Sequence, residues 1–180
     1  MIEIKILGRG GQGAVTASQI LAIAAFYEDK QSQAFPHFGV ERRGAPAMAF
    51  TRIDDKQINV RSHVYNPDIV LVLDSSLLEA INVTEGLKSK GIIIVNSNKK
   101  PQELKIKGNF KVHTVDATSV ALDIFKSNIV NTVILGAFAR ITKLITLDSV
   151  NKAIEERFAR KQKLIDLNKE AVKKAYEKTQ

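Results

Sequence analysis

A glycine-rich turn directly behind an N-terminal strand pattern limits the possible folds more than any other feature of this sequence. Residues Ile2 to Leu7 alternate in hydropathy as a strand does, and the segment GRGGQG follows at positions 8–13. From Gly13 to about Tyr27 apolar residues recur at helical spacing. Because a strand, a glycine turn and a helix in this order place backbone amides at a helix N-terminus, the turn is a candidate anion site. Its candidate binding residues are Gly8, Arg9, Gly10, Gly11, Gln12 and Gly13.

The rest of the chain continues to alternate between strand and helix patterns. Strands are predicted at Gln31–Phe35, Ala47–Ile53, Gln57–Arg61, Asp68–Asp74, Ile92–Asn96 and Lys111–Val115. Helices are predicted at Leu77–Val83, from Asp116 onward, and at Asn131–Lys143, Asp148–Phe158 and Leu164–Tyr176. The strands at Ala47–Ile53 and Gln57–Arg61 are expected to form a hairpin through Asp54, Asp55 and Lys56. We therefore expect a single three-layer α/β/α domain over residues 1–180, with a mostly parallel Rossmann-like sheet and one antiparallel hairpin.

The glycine turn is open to two interpretations. It matches G-x-G-x-x-G, but the acidic residue of a dinucleotide site would fall near Glu28 or Asp29, at a helix end instead of after a strand. The turn also lacks the Gly-Lys-Ser/Thr ending of a Walker A loop. The glycines alone would be explained by a tight turn and close packing. Arg9 and Gln12 are not needed for a turn, and they favour contact with a phosphate or pyrophosphate group.

A second candidate site is the segment from Phe35 to Pro46. It combines aromatic residues, an acid, adjacent arginines and flanking Gly and Pro, a composition typical of a loop ordered against a ligand or partner. The alternative is a loop packed for its own stability, with Glu41 pairing an arginine. His37 within it is interpreted as structural, and Asp74, at the end of a predicted central strand, is a secondary candidate. The candidate partner-interface residues are Phe35, Phe38, Glu41, Arg42 and Arg43.

Composition excludes several classes of function. The chain has no cysteine, so it offers no thiolate nucleophile, no Cys-ligated cluster and no Cys-based zinc site. The three histidines have no metal-ligand spacing, and we predict no metal on this chain. The formal charge of +8 lies largely in a C-terminal helix from Arg157 to Gln180, where we expect a solvated face. With 6% aromatic residues and no nucleic-acid motif, we expect no nucleic-acid partner. The apolar runs are too short to cross a membrane, and a cytoplasmic location is expected.

Five segments carry a resemblance to a known family. They are GRGGQGAVTAS at 8–18, QAFPHFGVERRGAPAMAFTRI at 33–53, RSHVYNPDIVLVLD at 61–74, VDAT at 115–118 and NTVILGAF at 131–138. In this order they resemble the gamma subunits of pyruvate:ferredoxin oxidoreductases, within the wider 2-oxoacid:ferredoxin oxidoreductase gamma family. The loop reads FGVERRGAP here, which differs from the series in 2-oxoglutarate relatives and favours pyruvate or a branched-chain 2-oxoacid.

The resemblance implies a multisubunit enzyme that converts a 2-oxoacid and coenzyme A to acyl-CoA, carbon dioxide and reduced ferredoxin. It implies thiamine diphosphate and magnesium between alpha and beta subunits, and iron-sulfur clusters on beta and delta subunits. This chain would be a noncatalytic gamma subunit that supports assembly and coenzyme A binding. The alternative from another class is a free-standing Rossmann-like nucleotide-binding protein. A third possibility is a scaffold without coenzyme A contact.

Overall fold

One six-stranded mixed sheet forms the centre of the molecule. The computed structural model describes residues 1–37 and 43–179. The strands are β1 (Ile2–Arg9), β2 (Gln31–Pro36), β3 (Pro46–Asp54), β4 (Ile69–Val72), β5 (Ile92–Asn96) and β6 (Lys111–Val115). The helices are α1 (Ala14–Phe26), α2 (Leu77–Ala80), α3 (Ala117–Phe125), α4 (Val133–Thr142), α5 (Leu147–Arg157) and α6 (Gln162–Lys178). A 3₁₀ turn at Pro101–Leu104 follows β5.

The strand order is β2-β3-β1-β4-β5-β6, and three of its five pairings are parallel. β1, β4, β5 and β6 form the parallel part, whereas β3 is antiparallel to both β1 and β2. Because the chain leaves β1 toward β2 and later returns to β4 on the other side of β1, the direction of winding changes between β1 and β4. Ligands of open α/β sheets bind at the carboxyl ends of the strands at such a point.

The predicted α/β class is confirmed, but its two outer layers are unequal. Apolar residues of α1, α3, α4, α5 and α6 pack on one face of the sheet in the larger core. The opposite face carries a smaller core under the short α2 and the irregular segments around it. β4 explains how both cores are filled, since Leu71 belongs to the first and Val70 and Val72 to the second.

α3 and α5 begin at side-chain caps, whereas Ser76 forms no side-chain cap for α2, which ends at Ala80 instead of the predicted Val83. The Asp116 carboxylate accepts a hydrogen bond from the Ser119 N–H at 2.9 Å and caps α3. Thr146 caps α5 in the same way, with Ser149 as the donor at 3.1 Å. In α4, Gly136 faces the backbone of α6, and a Cβ at this position would collide with the Val172 carbonyl. The absence of a side chain at Gly136 therefore lets α4 pack closely against α6.

The predicted hairpin is wrong in its partners. Ala47–Ile53 is a strand, but the segment 57–61 is not, and the antiparallel hairpin is formed by β2 and β3. The buried Arg52 guanidinium contacts this segment instead. It donates hydrogen bonds to the carbonyls of Val60 at 3.2 Å and Ser62 at 2.7 Å, and so holds the segment beside β3 without a strand ladder.

Candidate functional site

The glycine turn lies at the carboxyl end of β1, beside the point where the winding direction changes. Gly13 is the N-cap residue of α1, has a left-handed backbone with φ of 82°, and supplies no side-chain cap. A Cβ on Gly13 would collide with the side-chain amide of Asn131. Gly11 is exposed, and a Cβ there would meet open space. The turn thus packs against the fold at Gly13 and faces outward at Gly11.

The two polar side chains of the turn form hydrogen bonds with other parts of the fold. The Gln12 carbonyl oxygen accepts from the Arg9 N–H at 2.7 Å, and its amide nitrogen donates to Asp74 at 2.9 Å. The Arg9 guanidinium donates to Ser76 Oγ at 2.8 Å and to the Gly44 carbonyl at 3.0 Å, and lies 3.4 Å from Asp74 Oδ2. These side chains therefore join the turn to the end of β4.

Asp74 is the electrostatic centre of this arrangement. Partial burial opposes its ionisation, but the hydrogen bonds from Ser76 and Gln12 and the nearby Arg9 guanidinium outweigh that effect and lower the pKa of Asp74. Asp74 is therefore a carboxylate at neutral pH. It holds the glycine turn against the end of β4.

The turn also pairs with the second candidate segment. The Gly10 N–H donates to the Ala45 carbonyl at 2.8 Å, and the Gly44 N–H donates to the Gly10 carbonyl at 3.1 Å. A parallel bridge joins Gly10 to Arg43. The two motifs that the sequence singled out are thus parts of one site.

Two of the predicted interface residues lie within the described structure. Arg43 is exposed at the base of the loop, and Phe35 is half-buried in β2, 5.5 Å from the Phe50 ring. The Arg52 guanidinium lies 5.0 Å from the Phe35 ring centroid. The predictions for Phe38, Glu41 and Arg42 lie outside the described residues.

Sequence reasoning missed an aromatic and imidazole cluster next to this loop. The rings of His37 and His63 lie 5.3 Å apart at 63°, and Tyr65, 71% exposed, follows at 6.5 Å from His63. His63 and Tyr65 belong to the segment that Arg52 holds. The sequence signal was weak, because β3 lies between His37 and His63 in the chain.

A dinucleotide site of the Rossmann type has no place in this sheet. In such a site the acid that binds the ribose follows the second strand, which lies next to β1. Here β3 lies between β1 and β2. Glu28 accepts hydrogen bonds from the N–H and hydroxyl of Thr146, at 2.9 and 2.6 Å, so it serves the start of α5. These hydrogen bonds, led by that from the Thr146 hydroxyl, lower the pKa of Glu28 despite its partial desolvation.

A polar cavity of about 290 Å³ opens between the ends of β1, β4 and β5. Its floor includes Asn96, whose amide donates to the Leu73 carbonyl and to Thr118 Oγ1, both at 2.9 Å. Gln12 and Asp74 form one wall. Within residues 1–37 and 43–179 no group of three or more His, Cys, Asp or Glu side chains is arranged to hold a metal ion. No helix of the described ranges is long and apolar enough to span a bilayer.

The fold and site together define a Rossmann-like α/β protein in which the glycine turn anchors a loop at the edge of the sheet. The sequence profile of the family pyruvate ferredoxin/flavodoxin oxidoreductase matches residues 3–178. The chain therefore belongs to this family, as a gamma subunit of a 2-oxoacid oxidoreductase.

Three relatives agree with this assignment. The chain is 54% identical over 176 residues to pyruvate synthase subunit PorC of Methanocaldococcus jannaschii, covering 98% of this chain and 96% of the relative. It is 53% identical over 183 residues to the pyruvate/ketoisovalerate oxidoreductases common subunit gamma of Pyrococcus furiosus, covering 100% and 98%. The crystal structure of pyruvate oxidoreductase subunit PORC from Thermotoga maritima matches with a TM-score of 0.84 at 42% identity, covering 99% and 97% of the two chains. The family resemblance read from the sequence is confirmed.

Proposed function

We propose that this chain is a noncatalytic gamma subunit of a pyruvate synthase that works only in complex with alpha, beta and delta subunits. The match to the family over residues 3–178 carries this proposal. A chain without cysteine leaves the iron-sulfur clusters to the beta and delta subunits, and thiamine diphosphate and magnesium to alpha and beta. The reaction yields acetyl-CoA, carbon dioxide and reduced ferredoxin in the cytoplasm.

Pyruvate is the proposed substrate of the complex. Relatives of this chain are named as subunits of pyruvate synthase, and others as a common subunit of pyruvate and ketoisovalerate oxidoreductases. A branched-chain 2-oxoacid is therefore the nearest alternative, ahead of 2-oxoglutarate. A free-standing nucleotide-binding protein is disfavoured, because β3 occupies the position that a dinucleotide fold needs.

An anaerobic pull-down tests the subunit assignment. The tagged chain, recovered from its native host, should bring down thiamine- and cluster-binding subunits with coenzyme A-dependent pyruvate:ferredoxin activity. Recovery of the chain alone, with a nucleotide bound or with an activity of its own, would contradict the subunit assignment and favour a free-standing nucleotide-binding protein.

We further infer that the outward side of the glycine turn contributes to coenzyme A binding. Arg9 and Gln12 hold the turn in shape, and the Gln12 N–H already donates to the Arg9 carbonyl. The contact therefore falls to the N–H groups of Gly11 and Gly13 at the N-terminus of α1, where phosphate groups bind favourably. Gly11→Ala should raise the KM for coenzyme A. The KM for pyruvate in the same variant is the control, because strain at this left-handed glycine would disturb the handling of both substrates, whereas loss of a coenzyme A contact would not. An equal rise in both KM values would argue against a contact at Gly11.

The loop that the turn anchors is the proposed interface with the partner subunits. Arg42 and Arg43 would dock it or screen the acidic ligand, Glu41 would orient them, and Phe35 and Phe38 would supply apolar contact. Arg42→Ala and Arg43→Ala, compared in complex assembly and in the KM for coenzyme A, separate these roles. Unchanged values of both quantities in both variants would contradict the proposal.

A further inference from the structure

A second cavity lies at the carboxyl ends of β5 and β6, separate from the glycine turn. Its volume is about 590 Å³, twice that of the cavity beside Gln12 and Asp74. Its walls come from three parts of the chain: the segment 97–102 after β5, the edge strand β6, and the last turn of α6. A concave site of this size falls within the range that binds small molecules.

Three lysines project around this cavity from two of its walls. Lys99 and Lys100 follow β5, and Lys178 ends α6. None of the three forms an ion pair with any residue in the described ranges, whereas other lysines of α6 do. Lys169 pairs with Glu155 and Lys174 with Asp123. The ammonium groups at the cavity thus form no direct ion pair within the described residues, although the charge of Lys178 contributes to the lowered pKa of Asp123.

One acidic residue, Asp116, lines the cavity, and its carboxylate is already hydrogen-bonded. The two carboxylate oxygens of Asp116 accept hydrogen bonds from the N–H and the hydroxyl of Ser119, at 2.9 and 2.6 Å, and cap α3. Its charge therefore stabilises the helix start. These neutral donors leave the negative charge of Asp116 in place, but the lining sets three lysines against this one carboxylate. The cavity therefore keeps an excess of positive charge, which favours an anionic ligand.

Neutral polar groups complete the lining. His113 is half-buried in β6, and desolvation, followed by the charge of Lys111, lowers its pKa, so the imidazole is uncharged at neutral pH. It can donate or accept a hydrogen bond, and Ser97 and Thr114 also line the cavity. Ammonium groups surrounding hydroxyl and imidazole groups are suited to phosphate oxygens.

We propose that this cavity binds a phosphorylated small molecule through Lys99, Lys100 and Lys178. The charges surround a concave space between separate segments, which fits a compact polyanion better than an extended acidic protein surface. The cavity is also larger than one phosphate requires, which favours a ligand with a diphosphate or a phosphate on a larger body. The neighbouring polar cavity shares Ser97, Asn98 and Asp116 with it and could hold an uncharged polar part of the same ligand. This proposal stands apart from the coenzyme A contact proposed at Gly11.

Calorimetric titration of the full chain with inorganic pyrophosphate tests the site. Lys99→Ala and Lys178→Ala should each weaken binding roughly two- to fivefold, as expected for exposed charge contacts, and the double variant should weaken it further. Binding should also weaken as salt is raised. Lys163→Ala removes the same charge from the exposed start of α6, outside the cavity, and should leave the affinity unchanged.

Several outcomes would overturn the proposal. Pyrophosphate that does not bind at millimolar concentration, or that binds equally well to the cavity variants, would exclude the site. An equal loss in Lys163→Ala would indicate diffuse attraction to the basic surface. Tighter binding of polyglutamate than of pyrophosphate, lost in the same variants, would assign the lysines to an acidic protein.

Competition identifies the source of the phosphate groups. Displacement of pyrophosphate by coenzyme A but not by ATP would connect this cavity to the cofactor of the complex, and displacement by both would indicate general recognition of phosphate groups. Because the titration needs no partner subunit, a negative result leaves the subunit assignment intact. A loss of pyrophosphate binding in Gly11→Ala alone would place the phosphate site at the glycine turn instead.

Discussion

At the residue scale, Arg9 joins three segments through one guanidinium group. It donates to Ser76 Oγ and to the Gly44 carbonyl, so Arg9→Ala removes both hydrogen bonds. The loss should lower the free energy of unfolding by about 1–2 kcal/mol, measured by urea denaturation of the full chain. Arg43→Ala is the control, because Arg43 contacts Gly10 through its backbone, and it should change stability little. Equal losses in both variants would contradict the role given to the Arg9 side chain.

Asp74 provides a pH-dependent test of the same contacts. Its pKa is lowered in the folded protein, so its stabilisation is present above the pKa of the unfolded chain and is lost as the pH falls through the folded value. Asp74→Asn should therefore be less stable than the wild type near neutral pH. The gap should begin to narrow near about pH 4, where the unfolded chain takes up the proton, and should close only as the pH falls through the lower pKa of the folded protein. A gap that is constant from pH 7 to pH 3 would show that the charge of Asp74 has no part in it.

The sequence identified the residues of the turn but not the direction of their side chains. The sequence favoured contact of Arg9 and Gln12 with a phosphate group, and the structure shows both side chains hydrogen-bonded within the fold. Their partners Asp74 and Ser76 lie 62 and 67 positions away, so no local pattern could show the contacts. These contacts form because β4 pairs with β1 in the folded sheet, and that pairing joins segments far apart in sequence.

At the scale of the element, the sequence did not reveal the pairing partners of β3, again because the contacts are not local. Two apolar stretches joined by Asp54, Asp55 and Lys56 have the spacing of a local hairpin, whereas the actual partners of β3 are β2 and β1. The helices were easier to predict, since caps such as Asp116 and Thr146 act on neighbouring residues. β4 and β5 were also predicted well, because strands buried on both faces are continuously apolar.

Arg52 gives the segment after β3 its place. Its guanidinium is 1% exposed and contacts Glu3 at 2.9 Å as well as the carbonyls of Val60 and Ser62. Arg52→Ala would leave these acceptors without their donor and should cost about 3–5 kcal/mol of stability, with faster amide exchange in residues 58–63. Arg61→Ala, at an exposed neighbouring position, is the control and should change neither quantity. Unchanged exchange in Arg52→Ala would contradict the clamping role.

At the scale of the whole molecule, the candidate sites share one edge of the sheet. The glycine turn follows β1, the loop follows β2, Ser76 follows β4, and the lysine-lined cavity lies beyond β5 and β6. Parallel strands bring these carboxyl ends together, so residues distant in sequence form one surface. A domain that presents its polar and cationic groups along one edge is suited to contact with other chains or with a ligand shared with them.

Exchange of the whole subunit tests the proposal that the other subunits of the complex select the 2-oxoacid. Discrimination between 2-oxoacids depends on contacts at the reacting centre, which the proposal assigns to other chains. Replacing this chain by the 53% identical gamma subunit of Pyrococcus furiosus should therefore leave the ratio of kcat/KM for pyruvate and ketoisovalerate unchanged. The KM for coenzyme A can still differ, since that contact is proposed to include this chain. A shift in the 2-oxoacid ratio would instead place a specificity-determining residue on the gamma subunit, and the loop between β2 and β3 would be the first segment to exchange on its own.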